Sequence, residues 1–191
     1  MSRKSEHWRW FKQDVNGLSQ QQSATRGGLM AKKPVKFFVS YAHANRVSKE
    51  QFMALFSEQT AVAKRFDYQY WSDSELTLGD HWRDEIARAQ AETDFGLLLI
   101  STSFLASKFI VEQELPTYLS HAGKRCFPVM LAPIDFERHD LKGLQDKQIY
   151  RLHSTDFNAP RAFTELKGKR KADFAHGVFA QIDDWLAANL K

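Results

Sequence analysis

The sequence is poor in cysteine: Cys126 is the only one among 191 residues. A single cysteine excludes an intrachain disulfide framework and a cysteine-rich zinc site. No apolar run approaches the roughly 18 residues of a membrane-spanning helix, and the first residues lack the apolar stretch of a secretion signal. These absences read as a soluble cytoplasmic protein. No Gly-x-Gly-x-x-Gly follows the first apolar run, and no Gly-rich phosphate loop ends in Lys-Ser/Thr, so dehydrogenase and ATPase readings have no motif to rest on. A Gly-x-Ser-x-Gly elbow is also missing. The seven histidines show no paired metal-ligand spacing, and no metal or other cofactor is expected.

What is present suits a packed domain. Hydrophobic residues make up 43% and charged residues 26% of the chain, which rules out wholesale disorder. The length fits one domain with a short appendage. The formal net charge is +4, but the excess is local. Arg3, Lys4, Arg9, Lys12, Arg26, Lys32, Lys33 and Lys36 face only Glu6 and Asp14 in the first 36 residues, so the remainder is slightly acidic. The polar stretch Ser19–Ser23 and the Gly27-Gly28 pair mark residues 1–33 as a flexible basic extension, with the domain proper spanning 34–191. With Trp8, Trp10 and Phe11 the extension has a composition that could touch nucleic acid or an acidic membrane surface, but it reads first as a solvated leader.

Past Pro34, short apolar runs alternate with helical periods. Val35–Ser40, Tyr68–Trp71, Asp94–Ser101 and Cys126–Leu131 read as strands, and Ile149–Leu152 as a fifth. Val47, Phe52, Leu55, Phe56, Val62 and Phe66 predict one helix face, and His81–Ala91 a second helix capped by Asp80. Ser103 or Ser107 opens a third helical segment running to His121, with a kink or break expected at Pro116. Phe174 to Leu190 forms the last helix. The alternation argues for an α/β fold: a flavodoxin-like parallel sheet of five strands in order 2-1-3-4-5, with helices on both faces. Ligands of such folds bind beyond the carboxyl ends of the strands, beside the switch in strand order. The loops to inspect are therefore Ser40–Arg46, Ser72–Trp82 and Ser101–Glu114.

Ser40 and Tyr41 occupy the first strand end, where a receiver domain would need a carboxylate cluster for magnesium. The third loop carries a carboxylate pair, Glu112 and Glu114. Two residues apart on a helix they diverge by about 200°, so only one can face the cleft. Spacing alone leaves either of them as a solvated surface group.

Phe37-Phe38-Val39-Ser40-Tyr41-Ala42-His43 resembles the first-strand signature of Toll/interleukin-1 receptor (TIR) domains. Trp71-Ser72-Asp73 with Gly79-Asp80-His81-Trp82 resembles their second strand, BB loop and following helix start. Leu97–Ser101, Ser103–Ser107 and Glu114-Leu115-Pro116 are similar to the third strand and its helix in bacterial members. The resemblance covers roughly Val35 to Leu190 and implies a choice between two kinds of work. Many prokaryotic and plant TIR domains cleave NAD+ as a substrate, releasing nicotinamide and ADP-ribose or a cyclised form, in bacterial members as part of immune or antiviral signalling. Others act as non-catalytic interaction modules that engage further TIR domains. A related sugar-transfer enzyme acting on nucleosides is a third reading.

The resemblance makes Glu114 the catalytic carboxylate. Ile110 stands one helical turn earlier, where many active members have an aromatic residue. Ser40 and Tyr41 would form the cleft floor, Ser103 and Ser107 would be hydrogen-bonding neighbours, and Trp71, Asp73 and Trp82 would frame the BB-loop side. Structural roles compete for several of these: Trp71 and Trp82 as core, Asp73 as an Asx turn, Ser107 as a helix cap. The family also implies self-association through the BB loop, with the site completed between copies and activity rising more than linearly with concentration.

Overall fold

The central strand explains the layering. In the computed structural model, which describes residues 32–72, 82–120 and 123–190, β1 (Lys33–Tyr41) lies between β2 (Phe66–Ser72) and β3 (Phe95–Ile100) and pairs with both in parallel. Side chains of a strand alternate between faces. Val35, Phe37, Val39 and Tyr41 enter one core, and Phe38 and Ala42 the other. The first core is closed by Phe52, Met53 and Phe56 of α1 (Arg46–Ala61) and by Phe174, Val178, Ile182 and Leu186 of α5 (Lys169–Asn189). The second is closed by Ile86 and Ala89 of α2 (Trp82–Glu92) and by the broken helix after β3. All six residues of β3 are buried, as a strand covered on both faces requires.

Among the described residues the sheet has four strands in the order β2-β1-β3-β4, with β4 at Arg125–Met130, rather than the expected five. Only Tyr150 of the segment 149–152 pairs with β4. Its N–H donates to Pro128 C=O at 2.8 Å, and its C=O accepts from Met130 N–H at 2.9 Å. Both neighbouring rungs fail for identifiable reasons. Pro128 has no N–H to offer the next carbonyl back. Leu152 gives its N–H instead to Arg161 C=O at 2.9 Å, which draws the chain off the edge.

Helix α1 is shorter than the spacing predicts. Val47 and Val62 are exposed, and Phe66 belongs to β2. The third helical segment divides into α3 (Thr102–Ala106), a π-helical turn at Ile110–Glu114, and α4 (Pro116–Leu119). Ser101 caps α3, its Oγ accepting from Phe104 N–H at 3.0 Å. Ser107, just ahead of the helical residues 108–109 that lead into the π-helical turn, accepts from Ile110 N–H at 3.4 Å. Among the described residues no helix is long and apolar enough to cross a membrane. The N-terminal extension, apart from Lys32 and Lys33, and the predicted cap Asp80 lie outside the described residues.

Candidate active site

In this strand order the switch point lies between β1 and β3, because α1 leaves β1 on one face of the sheet while the helix after β3 covers the other. Three short polar links are made there. Ser40, one residue from the end of β1, donates its hydroxyl to Glu114 Oε2. Ser101, just beyond β3, donates its hydroxyl to Asn45 Oδ1 at 2.6 Å, joining the β3 end to the start of α1. Gln90 of α2 donates from Nε2 to the Glu114 carbonyl at 3.2 Å.

The backbone decides which glutamate turns inward. Leu115 N–H reaches back five residues to Ile110 C=O at 2.9 Å, so the turn is wider than an α-turn. Glu112 is exposed, whereas Glu114 is 4% exposed and lies over Ser40, itself 1% exposed. Taking a carboxylate out of water is costly unless hydrogen bonds compensate, and the Ser40 hydroxyl supplies one. A carboxylate so held at the carboxyl ends of the strands is of the type that can stabilise a developing positive charge or accept hydrogen bonds from a sugar.

The other site residues named from sequence are distributed as follows. Tyr41 sits at the same end of β1 but on the opposite face from Ser40. It is 4% exposed, stacks on His43 with centroids 5.7 Å apart, and lies under Lys49 Nζ at 4.9 Å. Trp71 is buried and stacked on Phe38 at 5.2 Å, in the same core as Ile110. Ser103 is half-buried in α3, and Ser107 is half-buried in extended backbone just after it. Trp82 opens α2. Asp73 lies outside the described residues. Sequence reading misses Asn45, Gln90 and Ser101; only Ser101, directly after the strongest strand, carries a local signal as a potential cap.

Among the described residues no three His, Cys, Asp or Glu side chains gather as a metal-holding group. A cavity of about 620 Å³ opens elsewhere, between β4 and α5 beside Cys126, Lys147, Tyr150 and Trp185.

A comparison with curated proteins found no match. A family model for the TIR domain does match, over residues 37–167, a stretch that contains both Ser40 and Glu114. That is well over half of the chain, and the protein belongs to the TIR domain family.

Proposed function

We propose that this TIR domain is an NAD+ glycohydrolase in which Glu114 acts on the ribose. The observation that carries the reading is the near-complete burial of the Glu114 carboxylate at the strand-order switch, hydrogen-bonded to Ser40. In the reaction the C–N bond between ribose and nicotinamide breaks. Its electron pair leaves with nicotinamide, which departs neutral because the bound pyridinium was cationic. Positive charge moves onto the ribose in an oxocarbenium-like transition state. The carboxylate stabilises that charge electrostatically and accepts a hydrogen bond from a ribose hydroxyl. Water then adds at the anomeric carbon and loses a proton to give ADP-ribose. Attack by an adenine nitrogen of the same molecule instead gives a cyclic product. No general acid is required, because the leaving group needs no proton. Self-association through the BB loop would raise activity more than in proportion to concentration, and a role in defence signalling fits NAD+ depletion.

One observation favours a second reading, a non-catalytic interaction module. Glu114 already takes a hydrogen bond from Ser40 in a nearly closed setting, and Ile110, one turn before it, is 3% exposed and offers no aromatic face to a substrate. Chromatography of NAD+ incubated with concentrated wild type and Glu114→Gln separates the two. Nicotinamide release by wild type alone supports the enzyme. Equal release by both removes Glu114 from the chemistry, and no release by wild type favours the module.

A further inference from the structure

Helical hydrogen bonding fails immediately after Glu114. Pro116 has no N–H, and Tyr118 N–H, which would ordinarily serve the Glu114 carbonyl, donates to Leu115 C=O at 2.9 Å instead. Leu119 N–H also goes to Leu115 C=O, at 3.0 Å. The carbonyl of the residue that carries the candidate carboxylate is therefore left without a helical donor, and a buried carbonyl needs one.

Gln90 supplies it. The side chain is 2% exposed. Its Nε2 donates to Glu114 C=O at 3.2 Å, and its Oε1 accepts from Thr117 Oγ1 at 3.2 Å. One carboxamide thus spans both sides of the proline break. The residue type matters, because the two partners are an acceptor and a donor. A glutamate there would set oxygen against the carbonyl, and an apolar residue would serve neither.

Gln90 is itself fastened at the end of α2. Lys124 Nζ donates to the carbonyls of Gln90, Ala91 and Thr93 at 2.7, 2.5 and 2.5 Å. Thr93 Oγ1 adds a bond to Gln90 C=O at 2.9 Å, and Lys124 N–H donates to Thr117 C=O at 2.9 Å. The last turn of α2 and the turn around Pro116 are tied into one unit, with Gln90 as the link nearest the carboxylate.

We propose that Gln90 is a positioning residue for Glu114. It holds the π-turn in the register that keeps the carboxylate against Ser40. Relaxing that turn by one residue would rotate Glu114 by about 100°. The catalytic side of this inference rests on Glu114 being the NAD+-cleaving carboxylate.

The test uses the full chain with Gln90→Met, which has similar length and no hydrogen-bonding amide, and Thr117→Val, which removes only the far end of the bridge. Hydrogen exchange is read by mass spectrometry, and nicotinamide release is read alongside. Where wild type releases nicotinamide and Glu114→Gln does not, Gln90→Met should lower kcat by about 10- to 100-fold, the scale of a small misplacement of a reacting group. KM should stay within roughly threefold. Exchange should accelerate over residues 110–119 and stay unchanged in β1 and α5. Thr117→Val should show the same local acceleration with a smaller loss of kcat, and it decides the matter where Gln90→Met fails to fold. An unchanged kcat, an unchanged exchange rate over 110–119, or acceleration spread evenly through the chain overturns the proposal. If wild type releases no nicotinamide, the NAD+ reading falls, and exchange over 110–119 alone decides whether Gln90 holds the turn.

Discussion

Ser40 donates its hydroxyl to the Glu114 carboxylate, joining the end of β1 to the turn before α4 across 74 residues of sequence. Both side chains are almost fully buried, so the donor is not readily replaced by bulk water. Ser40→Ala is expected to lower stability by about 1–3 kcal/mol, the cost of removing one partner from a buried polar pair. It should also lower the rate of nicotinamide release, because the carboxylate loses the group that fixes its orientation. Urea denaturation measures the first effect and product chromatography the second. Full stability together with full rate in Ser40→Ala would mean that the contact holds nothing in place.

Gly96 and Tyr118 define how close the helix carrying Glu114 can lie to the sheet. A Cβ at Gly96 would stand 2.5 Å from both Cε1 and Cζ of Tyr118, whose ring is 1% exposed and has nowhere to retreat. Gly96→Ala should therefore destabilise by about 1–3 kcal/mol through overpacking, although alanine suits a strand better than glycine. The thermal midpoint should fall by roughly 2–4 °C per kcal/mol. Combining it with Tyr118→Leu, which shortens the opposing side chain, should cost less than the sum of the two single changes. Strict additivity would place the clash elsewhere.

Much of this fold is legible in the sequence because it rests on local signals. The continuous apolar run at Leu97–Ile100 gives a strand covered on both faces, and the spacing of Phe174, Val178, Ile182 and Leu186 gives the face of α5. Pro116 announces the break after Glu114. The fifth strand is harder to read, because its absence turns on one rung that Pro128 cannot make and another that Arg161 takes from Leu152. Tyr41 illustrates a different limit. Its type and position suit a cleft floor, yet adjacent strand residues point to opposite faces, and Ser40 already takes the side of Glu114. Alternation alone could have separated those two. Nothing local marks Gln90 or Lys124, because their partners lie 24 to 34 residues away and come together only in the folded chain.

Asp183 gathers a cluster remote from Glu114. It accepts from Arg65 Nε and Nη2 at 3.1 and 2.5 Å, and from Tyr68 Oη at 2.8 Å, tying the start of β2 to α5. The Arg65 side chain is 51% exposed, so that ion pair is screened and worth little. The Tyr68 hydroxyl is part-buried and has more to lose. Asp183→Ala should therefore cost about 1–2 kcal/mol, and Arg65→Ala distinctly less. Neither should change nicotinamide release. Equal losses in the two variants, read by urea denaturation, would show that the ion pair rather than the tyrosine carries the stability.

Alkaline pH should weaken the fold. Burial pushes the Cys126 thiol above its ordinary 9.0, and burial pushes the Tyr118, Tyr68 and Tyr150 hydroxyls above their ordinary 10.0, with the Asp183 hydrogen bond and charge adding to the shift at Tyr68. Each group holds its proton more tightly folded than unfolded. The stability this contributes is fully present below the unfolded values and is lost as pH rises toward the raised ones. Lys124 acts in the opposite sense, since burial lowers its affinity for a proton against the attraction of Asp94, but it is one group against four. Unfolding free energy from urea denaturation should be level near neutrality, begin to fall above about pH 9 and fall further above about pH 10. Cys126→Ala should remove the early fall and leave the tyrosine contribution in place. A stability that stays flat or rises through about pH 10.5 would contradict the burial of these hydroxyls as the controlling cause.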